Sequence, residues 1–220
     1  MIAYIFAIGL LALFVTLLIR AEFKEKQKQV YIFKPLSTIL VILVAIFSFF
    51  MVENYHLNYS CGIILALLFS FGGDVALMFK SKSAFMIGLI LFLLAHIVYS
   101  IVFTIFSGFV KADMISATIL ILLAIAIYFY LYSGLGGMKI PVFCYVLIIS
   151  LMMNRAISTF NGDFFKQIQA ILISLGAGLF YISDLILAIN KFKTPFKYHR
   201  LNLIFYYSGQ VLLALSTAFF

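Results

Sequence analysis

The chain has 220 residues, 66% of them hydrophobic and only 10% charged, and a net charge of +8. A soluble domain carries about 25% charged residues, so this composition excludes a water-soluble globular protein and describes a chain whose solvent is lipid. The basic surplus requires no nucleic acid, because lysine and arginine collect in loops on one side of a membrane.

A membrane span needs about 20 mostly apolar residues. The first such run covers 3–19. No basic residue precedes it, it is longer than a secretory h-region and Arg20 closes it, so it reads as a retained span. Further spans follow at 36–52, 61–79, 84–106, 113–132, 140–158, 167–189 and 202–219. Pro35 and Pro141 fall at the starts of the second and sixth, where a missing N–H costs nothing. The expected fold is an all-α integral membrane protein, one transmembrane domain over 1–220 with eight helices.

The loops then sort by charge. Arg20, Lys24, Lys26, Lys28 and Lys34 lie between spans one and two, and Lys80 and Lys82 between three and four. Lys139 precedes span six, and Lys191, Lys193, Lys197 and Arg200 join spans seven and eight. Only Lys111, Arg155 and Lys166 fall on the other side. The positive-inside rule makes the first group cytoplasmic and puts both termini outside a multi-pass inner membrane protein. Lys24, Lys26 and Lys28 suit the anionic inner leaflet. This topology sets Cys61 and Cys144 near opposite faces, too far apart for a disulfide, as small packing residues.

Two stretches break the apolar pattern in the same way. "FSFGGDVALMF" (69–79) carries Asp74, and "LFYISDLILAI" (179–189) carries Asp184. Both spans run toward the cytoplasm, and the spacing to Lys80 and Lys191 sets the carboxyls about 9 and 10 Å below that face. Carboxylates at such depth face a cavity or a partner; the plain alternative is a structural bond to a lysine such as Lys34 or to a helix end. Superimposing Asp74 on Asp184 aligns Leu77 with Leu187 and suggests two parallel four-helix halves, 1–106 and 107–220.

Other polar groups accompany the acids. Ser70 is one turn before Asp74, and Gly72 and Gly73 permit close approach. Ser183 adjoins Asp184. His96 and Tyr99 share a face of span four, and Tyr206, Tyr207 and Gln210 lie in span eight. Lys34 stands beside Pro35 at the mouth of span two, on the side of both acids. Asn154 and Arg155 read as interhelical glue and a snorkelling anchor, and His56 and His199 fall in loops without a role. No zinc-like spacing, phosphate-binding loop or GxSxG is present, so neither metal nor cofactor is expected.

"KPL" at 34–36, "FSFGGDVALM" at 69–78, "AHIVY" at 95–99, "GAGLFYISDLILA" at 176–188 and "YYSGQVLLALS" at 206–216 form an ordered set. The chain resembles the YhhN-like lysoplasmalogenases in these motifs, while 107–138 carries little of the likeness. The resemblance implies a cofactor-free membrane hydrolase that cleaves the vinyl ether of lysoplasmalogens to a fatty aldehyde and a glycerophospho-ethanolamine or -choline. It implies Asp74 and Asp184 as catalytic groups, with Lys34, His96, Tyr207 and Gln210 lining the site. Ser70, Tyr99, Ser183 and Tyr206 join them as substrate-binding candidates on the strength of their positions. The partners are then a lysophospholipid and the bilayer; the oligomeric state stays open.

The residues fit that chemistry in one respect of their own. Vinyl ether hydrolysis starts with protonation of the alkenyl β-carbon, giving an oxocarbenium ion that water attacks. It needs a protonated acid and a nearby anion, and two carboxyls close together in a low dielectric supply both. Lys34 at the rim would hold the phosphate. The rival reading is a proton-coupled transporter of a small or lipid-like solute, since buried carboxyls and internal repeats also mark carriers.

Overall fold

The computed structural model describes residues 2–50 and 56–219. Its helices are α1 (Ile2–Phe23), α2 (Gln27–Phe50), α3 (Leu57–Leu77), α4 (Lys82–Ser107), α5 (Asp113–Leu131), α6 (Lys139–Ser158), α7 (Gln167–Phe192) and α8 (Asn202–Leu215). Among the described residues there is no strand, and eight helices are long and apolar enough to cross a membrane. The eight-span expectation holds. Lipid offers backbone amides no partner, so a chain this apolar must satisfy them within helices. The expected end of span two at residue 52 lies outside the described residues.

Close neighbours in sequence pack as antiparallel pairs: α1 with α2, α3 with α4, α5 with α6 and α7 with α8. Without a hydrophobic drive between helices in lipid, small residues decide where backbones meet. A Cβ on Gly73 of α3 would stand 2.7 Å from the ring of Phe92 in α4. A Cβ on Gly209 of α8 would lie 2.7 Å from the carbonyl oxygen of Gly176 in α7. The Gly209 contact is with backbone and excludes any side chain, whereas a side chain at Gly73 would have to displace the Phe92 ring.

Three expectations change. Pro35 does not open α2, which begins at Gln27 and carries the proline inside. The helix extends outward because Gln27 donates from Nε2 to the carbonyl of Met78 at 2.9 Å, tying its polar first turn to the end of α3. Lys34 is consequently no rim residue: it lies inside α2 and is 7% exposed. Cys61 and Cys144 are free and exposed, on outward helix faces instead of in the packing.

Arg155 is the third. It does not snorkel but is 1% exposed, the largest fully buried side chain among the described residues. Its Nη1 donates to Asp113 at 2.9 Å, and its Nη2 donates to Ser107 at 3.0 Å and to the carbonyl of Gly108. Asn154 donates to the carbonyl of Asp113 at 3.0 Å and to Ser116 at 2.8 Å, so its reading as glue stands. Together they lock α6 to the α4–α5 turn. Removing one partner of a buried pair costs about 3–5 kcal/mol, because the other charge is left unpaired. Arg155→Ala is therefore expected to lower the thermal unfolding midpoint in detergent markedly. Arg155→Lys should recover only part, since one ammonium cannot reach three acceptors in the guanidinium's fixed fork. An unchanged midpoint for the alanine variant would contradict this account.

Candidate active site

The residues sort into two polar clusters with an aromatic wall between them. Asp74 belongs to the last turn of α3 and its side chain is 3% exposed. Its Oδ2 accepts from Thr38 at 2.6 Å and from Tyr206 at 2.7 Å, while Oδ1 lies 3.5 Å from Nζ of Lys34. Lys34 and Thr38 are one helical turn apart, so a single face of α2 supplies a cation and a hydroxyl. Tyr207 donates to the backbone carbonyl of Lys34 at 3.2 Å, which helps fix that turn. Every oxygen of Asp74 thus meets a donor or a positive charge.

Asp184 stands in α7, with its side chain 14% exposed. Its Oδ2 accepts a short hydrogen bond from Tyr145 of α6 and lies 3.3 Å from Nε2 of His96 in α4. His96 Nε2 is also 3.0 Å from the Tyr145 hydroxyl oxygen, and Nδ1 is 3.1 Å from the thioether of Met152. With the Tyr145 proton directed to Asp184, its oxygen can accept from His96 whenever the imidazole carries a proton on Nε2. Oδ1 of Asp184 has no hydrogen-bond partner among the described residues. The two carboxyls are therefore held very differently.

Phe180 forms the wall. Its ring centroid is 5.2 Å from Tyr206 on the Asp74 side and 4.6 Å from His96 on the Asp184 side. Phe92 adds a second ring, 6.0 Å from Phe180 and 5.9 Å from Tyr206.

Asp74 and Asp184 nonetheless open onto one cavity of about 360 Å³. Ser183, Tyr206 and Lys34 line it beside them, and Lys80, Lys82, Lys191 and Arg200 stand around it. The structure thus brings the basic loops α1–α2, α3–α4 and α7–α8 to one end of the bundle, as their charge suggested. Glu22 of α1 pairs with Arg200 at 3.2 Å in the same lining.

Not every candidate arrives. Ser70 is fully buried and lines no part of this cavity, and its hydroxyl has no hydrogen-bond partner among the described residues. Tyr99 donates to Gln210 at 3.0 Å, and this buried pair lies away from the cavity as packing between α4 and α8. Tyr207 acts through Lys34 and does not line it. Lys34, expected at the rim for a phosphate, is instead the counterion of Asp74. Conversely, Thr38, Tyr145 and Glu22 enter unannounced. Thr38 could have been found one turn beyond Lys34; nothing in "FCYVLI" distinguishes Tyr145.

A profile described as the YhhN family matches residues 29–217, which includes every residue of both clusters. The chain belongs to the YhhN family. Two curated relatives are named lysoplasmalogenase TMEM86A. The Bos taurus protein is 32% identical over 158 residues, covering 70% of this chain and 64% of its own length. The Homo sapiens protein is 33% identical over 160 residues, with the same coverage of 70% and 64%. The match thus spans under two thirds of those relatives. No solved structure matches this YhhN protein.

Proposed function

We propose that this YhhN protein is a membrane hydrolase that cleaves the vinyl ether bond of lysoplasmalogens, releasing a fatty aldehyde and a glycerophospho-ethanolamine or -choline. The observation that carries this reading is the pair of differently held carboxyls, Asp74 and Asp184, on one cavity ringed by basic side chains. Relatives named lysoplasmalogenases support it. Lys80, Lys82, Lys191 and Arg200 supply positive charge for a lipid phosphate, the role that Lys34 gives up by pairing with Asp74. One carboxyl protonates the alkenyl β-carbon, and the other anion stabilises the oxocarbenium ion that results. Water adds to that ion, and the hemiacetal collapses to aldehyde and alcohol. Water supplies the only atoms gained.

Purified protein in detergent, given a lysoplasmalogen, is expected to release free aldehyde with EDTA present. Among the described residues no group of three or more His, Cys, Asp and Glu could hold a metal ion. Detergent abolishes gradients, so a proton-coupled carrier would produce no aldehyde. Absence of aldehyde, or its loss on chelation, would count against the hydrolase reading.

The proposal includes an orientation: the basic end and the cavity face the cytoplasm. Both sites for the test are exposed, Asn58 at one end and Thr194 at the other. In a chain with Cys61 and Cys144 replaced by serine, a thiol introduced at Asn58 should react in intact cells. One at Thr194 should react only after permeabilisation, and the opposite pattern would reverse the assignment.

A further inference from the structure

A second, smaller cavity of about 60 Å³ lies between α4, α5, α6 and α7. Its lining is hydrocarbon, including Leu89, Ile127, Val146, Ile149 and Ala188, and the polar exceptions are the side chains of Tyr145, Tyr181 and Asp184. It shares Leu77, Phe85, Phe92, Leu187 and Asp184 with the polar cavity. Asp184 is thus the carboxyl on the common wall, whereas Asp74 lines the polar cavity alone.

Resting on the hydrolase reading, we infer that this apolar slot receives the first carbons of the substrate's alkenyl chain, so that Asp184 is the proton donor and Asp74 the stabilising anion. The occupant follows from continuity. A single-chain lipid whose phosphate sits among Lys80, Lys82, Lys191 and Arg200 has its hydrocarbon start a few bonds away. The slot is the apolar space opening from that same wall. Its volume is worth only about two waters of liquid, so it takes the start of the chain and not its length.

Proton transfer to carbon requires the acid to touch the double bond, and a double bond partitions to the apolar side. Asp184 meets that side, and its Oδ1 carries no competing hydrogen bond among the described residues, while Tyr145 and His96 hold Oδ2. Both carboxyls accept hydrogen bonds, but Asp74 also has the Lys34 ammonium beside it, a charge that favours the anion. The groups holding Asp184 among the described residues, Tyr145 and His96, include no lysine or arginine. The steps balance on this assignment. The Asp184 proton forms the new C–H bond at C2 as the alkenyl electron pair moves to it, leaving C1 as the oxocarbenium carbon. Water attacks C1 and returns a proton to the Asp184 carboxylate. The C1–O bond of the hemiacetal then breaks, the glycerol oxygen gaining the proton that the hemiacetal hydroxyl loses.

The test uses a non-hydrolysable alkyl-ether lysophosphatidylcholine bearing a diazirine at C3 of its chain. Irradiated with the whole protein, it is expected to label α6 and α7 around Val146, Ile149 and Ala188, competed by lysoplasmalogen. Labelling on α1 and α8 around Leu11 and Leu212, which border a separate apolar groove, would overturn the slot. Val146→Phe should raise KM at least tenfold and change kcat little. An unchanged KM in the folded variant speaks against the slot even where wild-type aldehyde release upholds the hydrolase. The roles are separated by an analogue with a secondary ammonium replacing the ether oxygen, mimicking the cation. Its Kd should rise at least tenfold more in Asp74→Asn than in Asp184→Asn, and the reverse order would exchange the two assignments.

Discussion

Asp184→Asn and Asp74→Asn are each expected to slow aldehyde release at least about a hundredfold, the scale on which positioned acid–base groups contribute. The amide keeps the shape of the carboxyl but neither donates an acidic proton nor carries negative charge. The two variants should differ in stability. In Asp184→Asn the amide oxygen can still accept from Tyr145, and no buried cation is stranded. Asp74→Asn leaves Lys34, 7% exposed, without its counterion, so this variant should unfold earlier, and adding Lys34→Met should recover stability without recovering turnover. Near-normal turnover in either single variant would refute the pair. Loss of turnover that tracks loss of folding, and returns with Lys34→Met, would reduce Asp74 to a structural role.

A second expected result is all-or-none. In D₂O the released aldehyde should carry one solvent deuterium at C2, because the carboxyl proton exchanges with solvent before it reaches carbon. Transfer to carbon is slow, so kcat should also fall in D₂O. Aldehydes exchange at C2 through enolisation, so the product must be reduced to the alcohol as it forms and then weighed by mass spectrometry. Direct attack of water on the ether without protonation of C2 installs no deuterium. An unlabelled alcohol would therefore eliminate carbon protonation by either aspartate.

The parts of this molecule that were legible in the sequence are those that lipid makes expensive. Eight apolar runs must be helices, and two carboxyls within them must have partners, so the spans and Asp74 and Asp184 stood out from composition and cost alone. Partners chosen by folding left no such trace. Tyr145 is an ordinary aromatic in an ordinary span until α6 turns it toward Asp184. Pro35 misled for a physical reason: a proline beside a polar stretch resembles a helix start, but Gln27, bound to the carbonyl of Met78, lets α2 continue past the apolar window. Arg155 misled likewise. Charge near a span end suggests snorkelling, yet Asp113, more than forty positions earlier in the chain, waits inside to receive it. Tyr99 and Gln210 shared helix faces with site residues and nevertheless bonded to each other.

The glycine contact between α7 and α8 has a mechanical meaning. α7 carries Asp184, and α8 carries Tyr206, which grips Asp74. The two helices are clamped backbone to backbone where Gly176 faces Gly209, with no flexible side chain between them. A bilayer that thins or thickens is accommodated by tilting helices or snorkelling end groups. Such a tilt carries α7 and α8 as one bar, so Asp184 and the phenol that steers Asp74 keep their spacing. The spacing between Asp184 and Tyr206 is thus fixed by a contact inside the protein and not by the thickness of the bilayer.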